Sequence, residues 1–333
     1  MKKFNWLLII LLFVQCKPSD VNNIDHSLPE FYAKTIEYKS LKENLYEISS
    51  DKYEGRKTGE PGQKKAAEFL KNFYIKNKID PVENNYYQTI SSSYFNGDYN
   101  DSENVMAFIK GTEFEEEVVV LSAHYDHLGV RDDGVVYNGA DDDASGTVAV
   151  MEIAKAFKKA SDKGHGPRRS ILFLHFTAEE IGLLGSKYYT DNPVIPLDHT
   201  IANLNLDMIG RIDNKHLSNP DYVYIIGSDH LSSEMDSIVN QQNDKYTQLL
   251  LDYKYNDKND PLGLYYRSDH YNFAKNNIPV IFFFSGLHND YHKITDTAEK
   301  IEYDLLTKRS RLVFHTLWEL VNRDDKIEVD KGE

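Results

Sequence analysis

The chain has 333 residues and a formal net charge of −15, from 53 acidic and 38 basic side chains. Its apolar fraction of 41%, with 12% aromatic, is enough for a packed core and excludes global disorder. The negative charge argues against nucleic acid as a partner, because that binding rests on neutralising phosphates.

The chain opens with "MKKFNWLLIILLFVQC": Lys2 and Lys3, an apolar run from Trp6 to Val14, then Cys16. That run is too short for a membrane span of about 20 residues and suits the apolar core of a secretory signal. Cys16 is the only cysteine, so an internal disulfide is impossible. A lone Cys directly after such a run resembles the lipobox of bacterial lipoproteins, although Gln15 stands where that motif usually has Gly, Ala or Ser. The expectation is a signal over residues 1–16 and an exported protein, periplasmic or on the cell surface, whose membrane contact is a lipid on Cys16. A polar, turn-rich tether over 17–29 follows, then one domain over 30–325 and a polar tail over 326–333.

Within the domain, "PEFYAKTIEYKSLKENLYEIS" and "GQKKAAEFLKNFYIKN" read as helices, separated by a Gly- and Pro-bearing loop. "EVVVLSA" (Glu117–Ala123) is a continuous apolar run of strand length. "ASGTVAVMEIAKAFKKA" sets Val150, Ile153, Ala154 and Phe157 at helical spacing. "SILFLHF" (Ser170–Phe176) is a second buried strand, with a short helix after it through "GLLGSKYY". "IANLNLDM", "DYVYIIG" and "IPVIFFF" (Ile278–Phe284) are further strands, with a helix near Ser232–Gln242. The last helix, "YDLLTKRSRLVFHTLWELVN", gathers Val313, Leu317, Leu320 and Val321 on one face. Unbroken apolar strands alternating with helices predict a three-layer α/β/α sandwich with a mixed, centrally parallel sheet.

Five polar clusters interrupt this pattern near the C-terminal ends of the strands. "HYDHLG" brings His124, Asp126 and His127, and "YNGADDDASG" brings Asp141, Asp142 and Asp143. "TAEEIGLLGS" brings Glu179 and Glu180, "NLNLDMIG" Asp207, and "DYHKITDT" Tyr291 and His292. That edge is where open α/β sheets bind ligands. Three adjacent carboxylates in a buried loop stay ionised only beside a cation. Two imidazoles, two Asp and a Glu without thiolate form a nitrogen and oxygen set that suits zinc, whereas calcium wants more oxygens and no imidazole. Adjacent Glu179 and Glu180 can divide the work, one on metal and one facing the reacting water.

With these motifs in order (H-x-D, G-A-D-D-D-A-S-G, E-E-x-G, L-D-M, Y-H-x-x-T-D-T) the chain resembles the co-catalytic di-zinc exopeptidases of metallopeptidase family twenty-eight, related to secreted bacterial leucyl aminopeptidases. The likeness runs over residues 45–320 and includes the upstream "YEGRKTGEPGQKKAAEFL". It implies the phosphorylase/hydrolase-like zinc exopeptidase fold and two zinc ions per chain. Asp142 would bridge them, His124 and Asp207 completing one site, Glu180 and His292 the other. It further implies Glu179 as general base and then acid, Asp126 behind His124, Tyr291 as an oxyanion donor, Arg267 of "RSDHYNF" on substrate, and a cis bond between Asp142 and Asp143. The implied substrates are peptides or protein N-termini.

Plainer readings hold elsewhere. His127, His175, His288 and His315 are expected to be structural, Asp141 and Asp143 to stabilise a loop or helix start, and Asp296 to support the His292 loop. Glu113, Glu115, Glu116 and Glu117 read as solvated surface, and Phe282, Phe283 and Phe284 as core. A glutaminyl cyclase-like acyltransferase keeps one metal and lacks part of the second site, which the presence of both His124 and Asp207 disfavours. A carboxypeptidase would carry the same metal set, so direction stays open, as does oligomeric state. The 85 positions between Asp207 and His292 leave no room for an inserted dimerisation domain of about a hundred residues. A non-catalytic binding module would have lost ligands or base, and a serine hydrolase would need G-x-S-x-G, which is absent.

Overall fold

The computed structural model describes residues 27–331, so the signal, Cys16 and most of the tether lie outside the described residues. The chain folds as α1 (Ser27–Ala33), α2 (Tyr38–Ile48), α3 (Pro61–Lys76), β1 (Tyr87–Ile90), β2 (Ser102–Ile109), β3 (Phe114–His124) and α4 (Ala144–Asp162). There follow β4 (Arg169–Phe176), α5 (Leu184–Asp191), β5 (Thr200–Leu206), β6 (Tyr222–Ile226), α6 (Ser233–Gln242), β7 (Leu250–Asp252), α7 (His270–Ala274), β8 (Val280–Phe284) and α8 (Tyr303–Asn322).

One eight-stranded sheet runs in the order β1-β2-β4-β3-β5-β8-β6-β7. Its centre, β4-β3-β5-β8, is parallel, while β2 and β6 flank it antiparallel. Successive β3 side chains enter different layers. Val119, Leu121 and Ala123 pack among residues of α1–α4, α6 and α8, whereas Val118 and Val120 join the core beneath α5 and α7. The three-layer α/β/α sandwich expected from the sequence is the one found.

Two helical boundaries differ from expectation. The helix expected to run unbroken from Pro29 ends at Ala33 and restarts at Tyr38. Thr35 lies in the gap and its hydroxyl donates to the Tyr32 carbonyl at 2.8 Å, offering the backbone a competing turn. The tail over 326–333 is not a free polar extension over its described part. Ile327 is buried in the main core, and Asp330 accepts from the Ser233 amide at 2.8 Å at the start of α6. The tether expected over 17–29 is already helical from Ser27.

The parallel centre sets the site. His124 ends β3, Thr177 to Glu180 follow β4, and Asp207 follows β5, so all three emerge at one lip of the sheet. The loop from β3 returns over that lip as the acidic segment that opens α4, with Asp143 as its N-cap, Oδ1 accepting from the Gly146 amide at 2.9 Å.

Candidate metal centre

The five expected ligands meet. The two carboxylate oxygens of Asp142 face different imidazoles: Oδ1 lies 3.3 Å from His124 Nε2, and Oδ2 lies 3.1 Å from His292 Nε2. Asp207 Oδ1 is 3.6 Å from the same His124 nitrogen, and Glu180 Oε2 is 3.1 Å from the same His292 nitrogen. Asp142 therefore stands between two ligand sets, and the Asp142–Asp143 peptide bond is cis.

The donor chemistry asks for a cation. His124 Nδ1 lies 3.2 Å from the Asp126 carbonyl oxygen, which can only accept, so Nδ1 carries a proton and Nε2 points its other face at the carboxylates. That buried nitrogen, like His127 Nε2 and Asp142 Oδ2, has no hydrogen-bond partner. A bare lone pair aimed at carboxylate oxygens is repulsive, so the position calls for positive charge there, a proton or a metal ion. Burial opposes a charged imidazole, yet Glu179 and Asp207 outweigh it and raise His124 well above its ordinary pKa. His292 is pushed up to about 10, against its own burial, by Asp142 and Glu180. These residues fit a divalent metal: His124, Asp143 and Asp207 form one group able to hold an ion, and His127, Asp142 and Glu180 another.

Those groups bring in two residues that the sequence alone assigned elsewhere. His127, expected to be structural, sets Nδ1 2.7 Å from Glu180 Oε1 and belongs to the centre. Asp143 meets the expectation of a helix-start carboxylate, since its Oδ1 also accepts from the Met208 amide at 3.0 Å, but it does so against the His124 side of the site.

Glu179 faces the first set, with Oε2 3.9 Å from His124 Nε2. Burial, reinforced by Glu180 and Asp207, raises its carboxyl well above the usual range. Asp126 works differently from the expectation. Its carboxylate is 3.7 Å from His124 Nδ1, but its hydrogen bonds come from the Glu179 amide at 3.1 Å and the Thr58 hydroxyl at 2.9 Å. Tyr291 stacks on His292 at 3.9 Å between ring centres, and its hydroxyl oxygen accepts from Arg267 Nη2 at 3.2 Å.

These groups border a pocket whose other walls are Met208, Leu264, Phe282, Phe284 and Leu287. Phe282 and Phe284 are buried in the core, as expected, and also form part of the pocket wall. Alternation along β8 turns Phe283 into the opposite layer and leaves its two neighbours on the pocket side.

Several supports were not visible in the sequence. Arg56, wholly buried, donates from Nε to the Tyr125 carbonyl at 2.7 Å and from Nη2 to the Gly139 carbonyl at 2.8 Å. Its signal was the upstream "YEGRKTGEPG", recognised as a segment without a role. Asp296 supports the acidic loop rather than the His292 turn alone: its Oδ2 accepts from the amides of Asp141 at 2.9 Å and Asp142 at 3.2 Å. Asp141 accepts from the Gly210 amide at 2.6 Å and faces His288 Nε2 at 3.2 Å, so both keep the supporting roles expected of them. Asp269, buried beside His124 and Asp126, is raised to about 7 by its burial.

Comparison with known proteins agrees with this architecture. An aminopeptidase of Bacillus subtilis, YwaD, is 36% identical over 112 residues, which cover 33% of this chain and 22% of the relative. The chain spans only 12% to 24% of the curated relatives it matches. The structure of the Legionella pneumophila LapA aminopeptidase superposes with a TM-score of 0.71 at 23% identity, covering 93% of this chain and 79% of that one. A glutaminyl cyclase of Bacteroides thetaiotaomicron superposes with a TM-score of 0.68 at 16% identity, covering 85% and 98%. The fold is thus common to different chemistries. The profile of Peptidase family M28 matches residues 104–317, and the chain belongs to that family.

Proposed function

We propose that this protein is a zinc-dependent exopeptidase that releases N-terminal residues from peptides and protein N-termini, using two zinc ions per chain. The observation that carries the reading is Asp142 set between two imidazoles, with a separate carboxylate, Glu179, facing the pocket. His124 and Asp207 would hold one ion and Glu180 and His292 the other, with His127 behind Glu180. When bound, such a pair supplies Lewis acidity for a carbonyl oxygen and lowers the pKa of water.

The chain's own residues do the rest. Glu179, held beside the pocket through its amide, takes a proton from the attacking water and returns it to the departing amine. Tyr291 accepts from Arg267, which leaves its own hydroxyl proton free to meet developing negative charge in the pocket. Asp142, Glu179 and Asp207 give the pocket negative charge that suits a free ammonium, while Met208, Leu264, Phe282, Phe284 and Leu287 suit an apolar side chain. This favours a free N-terminus with an apolar first residue.

The reverse direction rests on one observation, Arg267, a guanidinium in the pocket wall that could meet a C-terminal carboxylate. A panel of free, amino-acylated and C-terminally amidated peptides decides between them. Release of the first residue from amidated peptides is expected. Turnover confined to acyl-capped peptides with a free C-terminus would transfer the activity to a carboxypeptidase, and pyroglutamate formation without hydrolysis would transfer it to a cyclase.

The protein is further proposed to be exported and held at a membrane by lipid on Cys16. The support is the signal-like run before the only cysteine. Among the described residues no helix is long and apolar enough to cross a membrane. Incorporation of labelled fatty acid that disappears in Cys16→Ser tests it; equal labelling of both would overturn it.

A further inference from the structure

Beneath the candidate metal centre lies a layer of charge that the reaction itself does not use. Arg211, four residues after Asp207, has a largely buried side chain whose Nη2 donates to Asp290 Oδ2 at 2.9 Å. Asp290 directly precedes Tyr291 and His292, and its other oxygen accepts from Lys300 at 2.7 Å and Thr295 at 2.6 Å. The second arm, Arg211 Nη1, lies 3.8 Å from Asp296 Oδ1, and neither of these buried atoms has a hydrogen-bond partner. Asp296 in turn accepts from the amides of Asp141 and Asp142.

One guanidinium, four residues after Asp207, thus pairs with Asp290 and faces Asp296 at ion-pair distance, on either side of Tyr291 and His292, and it reaches the Asp142 loop only through Asp296. The Arg211 backbone is placed independently of this side chain: its carbonyl accepts from Arg309 Nη1 at 2.8 Å, which ties the segment to α8. Asp290 pairs with Arg211 and Lys300, Asp296 faces Arg211, and Asp141 faces His288. A planar fork is suited to this task because it can hold two carboxylates at a fixed separation, which an ammonium cannot.

We propose that Arg211 is a positioning residue that clamps the Tyr291–His292 turn between Asp290 and Asp296, the latter holding the Asp142 loop, and so fixes the ligand pair made by Glu180 and His292. The proposal rests on the reading of the site as a dinuclear zinc centre and goes beyond it by assigning the second ion's affinity to a side chain that touches neither ion. Loss of the fork frees the turn that bears His292, while His124 and Asp207, held by β3 and β5, keep their places.

Zinc titration against a chelator, with Arg211→Met, Arg211→Lys and Asp290→Asn beside the wild type, tests this. Such supporting contacts typically contribute 10–100-fold in metal affinity. The expected result is one zinc equivalent bound as in the wild type and a second weakened by about that factor in Arg211→Met and Asp290→Asn. Arg211→Lys should fall between, because it restores charge without the fork. kcat for a leucyl amide should fall with the second equivalent's occupancy and recover at saturating zinc, which a general loss of folding does not produce. Two equivalents bound with wild-type affinity in Arg211→Met, or equal weakening of both, would overturn the proposal. A wild type that binds no zinc would instead overturn the dinuclear reading on which it rests.

Discussion

The Glu179 amide donates to Asp126 Oδ1 at 3.1 Å, while the other oxygen of Asp126 accepts from Thr58 at 2.9 Å. The aspartate two residues beyond His124 therefore holds the residue proposed as general base by its backbone, and links it to the segment upstream of β1. Asp126→Asn keeps the shape and weakens the charge-assisted bond. It should retain its zinc and its KM while kcat falls about 10–100-fold, the usual effect of a supporting partner. Loss of a zinc equivalent with unchanged kcat per bound metal would return Asp126 to a role behind His124.

Glu179→Gln removes the proton acceptor and leaves the five proposed ligands untouched. General acid–base groups contribute about 10²–10⁴-fold, so kcat should drop by that range with zinc content unchanged. Steady-state kinetics on the zinc-loaded variant checks it, and undiminished turnover would exclude Glu179 as the base.

Asp142→Ala deletes the only side chain among the described residues that faces both His124 and His292 at 3.3 Å or less. The variant should bind at most one zinc equivalent tightly, as read by elemental analysis after gel filtration. Because Asp142 also helps balance buried positive charge on Arg56, its thermal midpoint should fall as well.

Three buried histidines outside the proposed ligand set make stability depend on pH. Burial depresses His175, His270 and His315 to about 3, against an ordinary 6.5. The unfolded chain therefore binds protons below about pH 6.5 that the folded chain refuses. Their stabilising effect is complete above pH 6.5 and is lost as pH falls toward 3. By pH 5 each costs about 2 kcal/mol relative to pH 7. Urea unfolding of His315→Phe, whose ring can keep the stack on Tyr246 at 3.8 Å, should show a pH 7 to pH 5 loss smaller by about that amount. An identical pH dependence in variant and wild type would mean that His315 is solvated when charged.

The central strands were legible because β3, β4 and β8 are runs of Val, Ile, Leu and Phe that only a doubly covered sheet can bury. β2 was not, because its first three residues, Ser102, Glu103 and Asn104, are polar yet buried. Their partners are distant: Ser102 meets Thr177 at 2.7 Å, and Asn104 donates to Gln88 and Gly185 at 2.9 Å. The short edge strands β1 and β7 carry partly exposed residues and too few apolar positions to show a period.

The same division runs through the site. Ligand types and their order along the chain could be read because metal chemistry restricts them to His, Asp and Glu at strand ends. The layer behind them could not. Asp296 and the Asp141 amide are 155 positions apart, and Arg211 and Asp290 are 79 apart, so only the fold shows that they meet. The place of His127 was hidden for a related reason: an imidazole three residues after His124 is in itself ordinary, and its bond to Glu180 appears only when β3 and β4 lie side by side.

The central claim is that two metal ions share Asp142. Anomalous diffraction at the zinc edge from crystals of the protein purified with zinc tests it most directly. Two peaks about 3.5–4 Å apart are predicted, one beside His124 and Asp207 and one beside Glu180 and His292, with Asp142 touching both. A single peak, or none between these side chains, would contradict it.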